Sequence, residues 1–300
     1  MRKSLLLAAS LLAAGLLATP GLTQPPTSAT DIEKKFDTYI SSSEMDGWMK
    51  KMAAEPNHVG SPHDKANAED TLARFKAWGW DAKIETFRVL YPTPLKVQLD
   101  LVTPRRFSAT LTEKPVPGDA TSSRTKAQLP AYVAFQGDGD VTAPLVYVNY
   151  GMPDDYKALE RMGVDVKGKI VIARYGQGWR GLKPKLAQDH GAVGCIIYSD
   201  PRDDGFSVDD AYPKGAARPA QGFQRGSVAD MPLYPGDPLT PGVGATDDAV
   251  RLKREDAPTI LKIPVLPISY GDAEKFLAAL DGRVVPSNWR GSIPITYHVG

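Results

Sequence analysis

The sequence predicts an α/β fold with a partly parallel sheet, and three observations carry the prediction. Short apolar runs alternate with stretches of helical character from Leu145 to Tyr198, the pattern of βαβ units. With 26 prolines and 27 glycines in 300 residues, turns are spread along the whole chain, which argues against a helical bundle. A hydrophobic share of 42% and a charged share of 24% describe a chain that buries a core.

Taken in order, the chain begins with Arg2 and Lys3 ahead of an apolar run from Leu5 to Ala18, followed by Thr19, Pro20 and Gly21. This is the layout of a secretory signal peptide, residues 1–24, and the run is short for a membrane span. Export is the expectation, periplasmic or secreted, and a membrane anchor is the lesser reading. Helices are expected over Asp31–Tyr39, Ser43–Ala54 and Asp64–Trp78. In the third, Ala68, Leu72 and Phe75 share a face that should pack on a core. Asp81–Val89 reads as a strand, and Lys96–Leu101 with Phe107–Leu111 as an antiparallel hairpin. A Pro-, Gly-, Ser- and Thr-rich stretch, 112–144, contains weak strand character at Ala131–Phe135. Strands follow at Leu145–Asn149, Lys169–Ala173, Val193–Tyr198, Pro264–Ile268 and Ile293–Val299, with helices at Asp154–Met162, Leu182–His190 and Ala273–Leu280.

The charges exclude some functions. The 36 basic and 35 acidic residues nearly cancel, leaving no global field to gather nucleic acid or an anionic membrane. The single cysteine, Cys195, cannot form an internal disulfide, and its apolar neighbours predict a buried, inert strand residue. None of the four histidines stands in an H-E-x-x-H or zinc-finger spacing; His58 and His63 flank the Gly60–Pro62 turn and read as loop residues. Neither G-x-S-x-G nor a phosphate-binding G-x-x-x-x-G-K-[ST] occurs. The acidic stretches Gly137–Asp140 and Asp200–Asp204 lack the spacing of a calcium-binding loop and read as solvated turns.

Arg180 stands apart. It follows a strand and lies among Gly176, Gly178 and Gly181, where backbone can approach a ligand and a guanidinium can fork onto a carboxylate. On local sequence alone a surface arginine in a turn accounts for it equally well.

The segments LVYVNYG, GKIVIARYGQGWRG, GCIIYSDPRDD, FQRGS, GDPLTPG, IPVLPISYGDAEKFL, NWRGS and YHVG occur in this order, preceded by EPNHVGSPHDKANAE and WGWDAKIETFRVLYP. As an ordered set they resemble glutamate carboxypeptidase II and its relatives, the zinc peptidases that also include the non-peptidase transferrin receptor. The resemblance implies an incomplete N-terminal part of a zinc-peptidase α/β domain, residues 25–110, followed by an inserted protease-associated α+β domain, residues 111–300. It implies that Arg180 binds the α-carboxylate at the C-terminus of a small peptide substrate, with Ser227 as its helper where the mammalian enzyme has an asparagine. It places Thr240 and Val243 at a calcium-coordinating turn. Two zinc ions are expected from the family, held by residues downstream of this chain, so no catalytic residue or zinc ligand is expected within it and the chain alone is expected to be inactive. A homodimer would form through the C-terminal domain of the family. An aminopeptidase of the same superfamily, or a binding module like the transferrin receptor, are the alternatives that the resemblance leaves open.

Overall fold

A computed structural model of the protein describes residues 28–300. The expected signal segment lies outside the described residues. Contacts divide the chain into two units, one ending at Lys51 and one running from Met52 to Gly300.

In the first unit, helix α1 (Ala29–Asp37) is capped by Ser28, whose Oγ accepts from the Asp31 amide at 3.1 Å. Helix α2 (Ser42–Met52) follows, and neither helix buries a residue. Both lie within two residues of the boundaries that the sequence predicts.

The second unit opens with α3 (Pro62–Ala77), which has Ser61 as its N-cap and Pro62 in its first turn. His63 therefore sits in a helix rather than a loop, with Nε2 3.0 Å from the Met52 carbonyl oxygen. The expected core face of α3 is corrected: Ala68 and Phe75 are exposed and no residue of the helix is buried. Its apolar stripe is narrow and is flanked by charge, including the Arg74–Asp70 ion pair at 2.8 Å. The strand expected over Asp81–Val89 is irregular backbone. Its amides find no ladder partner; Arg88 N instead donates to Ala245 O at 2.7 Å and Leu90 N to the Asp237 carboxylate at 2.7 Å.

The hairpin exists but is short. Strand β1 (Asp100–Leu101) pairs antiparallel with β2 (Phe107–Ser108), with Leu101 opposite Phe107. The ladder stops because the Thr110 amide turns to the Asp272 carboxylate, at 3.1 and 3.2 Å, and Leu111 has a positive φ of 51°. A second small pair joins β3 (Val133–Ala134) in parallel to β7 (Gly226–Ser227).

The core is built on a four-stranded parallel sheet. Its strands are β4 (Leu145–Tyr147), β5 (Ile170–Arg174), β6 (Gly194–Tyr198) and β8 (Val265–Ile268), in the spatial order β4-β5-β6-β8. Val171, Ile172, Ala173, Cys195, Ile196 and Ile197 are all buried, as expected of parallel strands covered on both faces. Helices α4 (Pro153–Arg161), α5 (Leu182–Asp189), the single turn α6 (Pro201–Asp204) and α7 (Tyr270–Leu277) occupy the connections. Helix α7 starts three residues before the expected Ala273, because the Ser269 hydroxyl caps it by accepting from Asp272 N at 3.1 Å. Phe107 from the hairpin packs edge-on against Phe276 of α7, ring centroids 5.8 Å apart.

The strand expected over Ile293–Val299 is irregular, interrupted by Pro294, which has no amide hydrogen for a ladder. Only its end pairs: Tyr147 N donates to Val299 O at 2.8 Å, and an isolated bridge joins Val284 and His298.

Candidate carboxylate-binding site

All four strands of the main sheet end on the same edge, where parallel α/β sheets form their ligand crevices. Residues 176–181, which carry Arg180, leave β5 at this edge and lead into α5.

Arg180 is half-buried and held by neutral groups. Its Nε donates to the Tyr175 hydroxyl at 3.1 Å, and its Nη1 donates to the Ser227 carbonyl at 3.5 Å. The Tyr175 hydroxyl in turn donates to the Gln224 carbonyl at 3.0 Å. The guanidinium carbon lies 5.4 Å from the Tyr175 ring centroid and 5.8 Å from that of Trp179, so two aromatic faces flank the charge. Burial raises the Tyr175 pKa, and the nearby Arg180 charge opposes that rise. Gly226 lies directly against the guanidinium: a Cβ there would fall on Nη1. Among the described residues Arg180 forms no ion pair, and both of its hydrogen-bond acceptors are neutral.

The structure brings Ser227 to Arg180 through its backbone carbonyl. The Ser227 hydroxyl oxygen accepts from Ala229 N at 3.1 Å, which leaves the hydroxyl hydrogen available as a donor.

The expected calcium residues lie elsewhere. Thr240 is buried, and its hydroxyl donates to Asp237 Oδ2 at 3.0 Å, while Val243 is exposed and donates its amide to Thr240 O at 3.3 Å. Among the described residues no group of three or more His, Cys, Asp or Glu side chains is placed to hold a metal. The described residues therefore do not by themselves supply the side-chain ligand set of a zinc centre.

Three residues of this edge were not singled out by sequence reasoning. Arg174, at the end of β5, is 1% exposed; its Nε and Nη2 donate to Asn149 Oδ1 at 3.1 and 2.9 Å, and Asp203 Oδ2 lies 3.5 Å from Nη1. Lys183, also 1% exposed, donates to the carbonyls of Tyr150 and Gly176, both at 2.7 Å. Asp200, expected in a solvated turn, is instead fully buried. It accepts from the hydroxyls of Tyr198 and Tyr297 and from the amides of Arg202 and Ser292, at 2.8 to 3.0 Å. The signal for Asp200 was present: Asp before Pro at the end of an apolar strand is a helix N-cap pattern. No periodicity marks Arg174 or Lys183, because a cation in a buried run looks like a surface residue until its carbonyl and amide partners are known.

Cys195 is buried as expected, and burial pushes its thiol up to about 12. His190 is exposed and stacks on Tyr156, ring centroids 4.1 Å apart, with no link to the thiol.

Residues 141–231 match the PA domain family, so the Arg180 loop and Ser227 both lie inside a PA domain. Over 314 residues the chain is 32% identical to the aminopeptidase NAALADL1 of Rattus norvegicus, covering 98% of this chain and 42% of that protein. It is 39% identical over 249 residues to a "Probable glutamate carboxypeptidase" of Arthroderma benhamiae, covering 79% of this chain and 34% of that protein. A glutamate carboxypeptidase 2 homolog of Caenorhabditis briggsae is 42% identical over 178 residues, 56% of this chain and 23% of that protein. The chain belongs to the glutamate carboxypeptidase II-like family of peptidases that carry a PA domain. It spans less than half the length of these relatives.

Proposed function

We propose that this chain is the N-terminal part of an exported zinc-dependent exopeptidase acting on small peptides, and that its PA domain recognises the free carboxylate at the substrate's C-terminus through Arg180. The observation that carries this reading is the half-buried guanidinium held only by neutral acceptors between two aromatic rings. A forked charge-assisted bond to a carboxylate contributes about 1.5 to 3 kcal/mol, which is enough to select a free C-terminus over an amide. The Ser227 hydroxyl, with its hydrogen uncommitted, is the second donor.

When bound, the two zinc ions of such a peptidase supply an activated water and polarise the scissile carbonyl. We assign their ligands to the part of the relatives that this chain does not cover, so the chain alone is inactive. What its own residues contribute is binding and orientation: Arg180 fixes the terminal carboxylate, and Tyr175 and Gly226 set the position of the guanidinium. The turn at Thr240 and Val243 belongs to a calcium site only if carboxylates beyond the described residues complete it, and dimerisation is assigned to the uncovered part as well. Among the described residues no helix is long and apolar enough to cross a membrane.

The relative named as an aminopeptidase favours a second reading, release of the N-terminal residue. Recognition of an ammonium needs an anion in the site, whereas the group exposed here is a cation. Mass spectrometry of short peptides incubated with the natural protein that contains this chain, with and without a chelator, separates the readings. Chelator-sensitive loss of the C-terminal residue is expected. Loss of the N-terminal residue would overturn the carboxypeptidase assignment, and no cleavage of any peptide would leave the binding module.

A further inference from the structure

We propose that Lys183 is the positioning residue of the carboxylate-binding loop, its ammonium pinning the entry of residues 176–181 so that Arg180 is held over Ser227 before any ligand arrives. The inference rests on the reading of Arg180 given above and extends it to a residue that no ligand would touch.

The geometry is that of a clamp between two loops. Lys183 lies in the first turn of α5, and both of its hydrogen bonds go to main-chain carbonyls: Tyr150 O, in the connection after β4, and Gly176 O, the first residue of the loop after β5. Gly176 has φ +112°, and a Cβ there would meet the Tyr150 ring at 2.8 Å, so only glycine can turn its carbonyl to the ammonium at this point. Tyr150 is fixed in its turn, with the Arg174 guanidinium carbon 3.9 Å from its ring centroid and its hydroxyl donating to Asp203 Oδ1 at 2.8 Å. The far end of the loop is tied by Trp179, whose Nε1 donates to Ala229 O at 3.4 Å, and by Arg180 itself. On the strand side the chain is anchored up to Tyr175, whose amide donates to Tyr198 O at 2.8 Å, and from Gly176 onward Lys183 continues that anchoring into the loop.

An unbranched apolar side chain would fill this place in the core at lower cost than a buried charge. Burial holds the Lys183 ammonium down at about 8; Cys195 of β6, Asp155 of α4 and Asp203 of α6 pull it up, and Arg174 of β5 pushes it down. Cys195 keeps its proton at that pH, so the attraction comes from the carboxylates. Releasing the loop would return the ammonium to water and to its ordinary pKa, so opening takes up a proton. The neutral amine keeps two N–H donors for the Tyr150 and Gly176 carbonyls, so both bonds survive loss of the proton, and the loop is held more firmly as pH rises through 8 because no buried charge is then penalised.

The test uses the full chain labelled with 5-fluorotryptophan and read by fluorine NMR. Trp179 reports on the loop and Trp289, which is 3% exposed, on the core; the variants W179F and W289F assign the two lines. Lys183→Met is expected to move and broaden the Trp179 line, to leave the Trp289 line in place, and to weaken binding of a free-acid dipeptide at least tenfold. An unchanged Trp179 line, or both lines changing together, would overturn the proposal. If that variant does not fold, Lys183→Gln decides, since its amide cannot reach both carbonyls: the Trp179 line is expected to move while Trp289 stays in place, and an unchanged Trp179 line would overturn the proposal. Failure of the Arg180 reading is seen separately, as dipeptide binding that survives Arg180→Ala.

Discussion

Replacing Asp200 with alanine removes one carboxylate and strands four donors at once. Two are phenolic hydroxyls, of Tyr198 at 3.0 Å and Tyr297 at 2.9 Å; two are backbone amides, of Arg202 at 2.9 Å and Ser292 at 2.8 Å. Each hydrogen bond to a charged acceptor contributes about 1.5 to 3 kcal/mol, and the sum of four would exceed what single substitutions cost. The sum overstates the loss, because the hydroxyls can rotate and water can enter the vacated space. The two amides cannot turn away, and their loss alone sets a cost of about 4 kcal/mol for Asp200→Ala. Asp200→Asn keeps one acceptor oxygen, which the two amides can share, while its NH2 faces hydroxyls that can reverse and accept; about 2 kcal/mol is expected. Urea unfolding followed through the buried Trp289 measures both. An Asp200→Ala protein within 1 kcal/mol of the parent would refute the argument that this carboxylate is the polar centre of the sheet edge.

Four further outcomes follow from the same geometry. Arg180→Ala should raise KM for free-acid peptides by about tenfold to a hundredfold with little change for peptide amides, as measured by steady-state kinetics on the natural protein containing this chain. Gly226→Ala should reproduce most of that loss by pushing the guanidinium off Ser227, and because Gly226 has φ +157° it should also lower urea stability by about 1 to 3 kcal/mol. Cys195 should resist alkylation at pH 8 in the folded chain and react on unfolding, since burial pushes its thiol up to about 12. Lys183 titrates at about 8 when folded against 10.5 when unfolded, so unfolding takes up a proton between those values and stability rises with pH across that window. The gain approaches about 3 kcal/mol before tyrosine ionisation in the unfolded chain reverses the trend near pH 10, and Lys183→Met should flatten the rise.

The parallel sheet was legible because its strands are continuous apolar runs punctuated by glycine, and each of the four fell within two residues of its predicted position. The failures share one cause. Asp81–Val89 and Ile293–Val299 carry strand-like residues but have no continuous partner edge, and alternation records side-chain preference without recording where backbone hydrogen bonds go. The hairpin was cut short by a carboxylate 162 residues away in sequence, which no local pattern encodes. At the candidate site, the surrounding glycines drew attention to Arg180, but only the family resemblance separated it from an ordinary surface arginine. Its supports were not, because Tyr175, Gly226 and Lys183 act through a hydroxyl, a missing Cβ and two main-chain carbonyls.

The central claim is that Arg180 reads the terminal carboxylate of the substrate. Its most direct test is the ratio of kcat/KM for one peptide as the free acid and as the C-terminal amide, measured for the natural protein containing this chain and for its Arg180→Ala variant. The account predicts a ratio of at least ten that collapses toward one in the variant. A ratio that survives the substitution would show that the carboxylate is bound elsewhere.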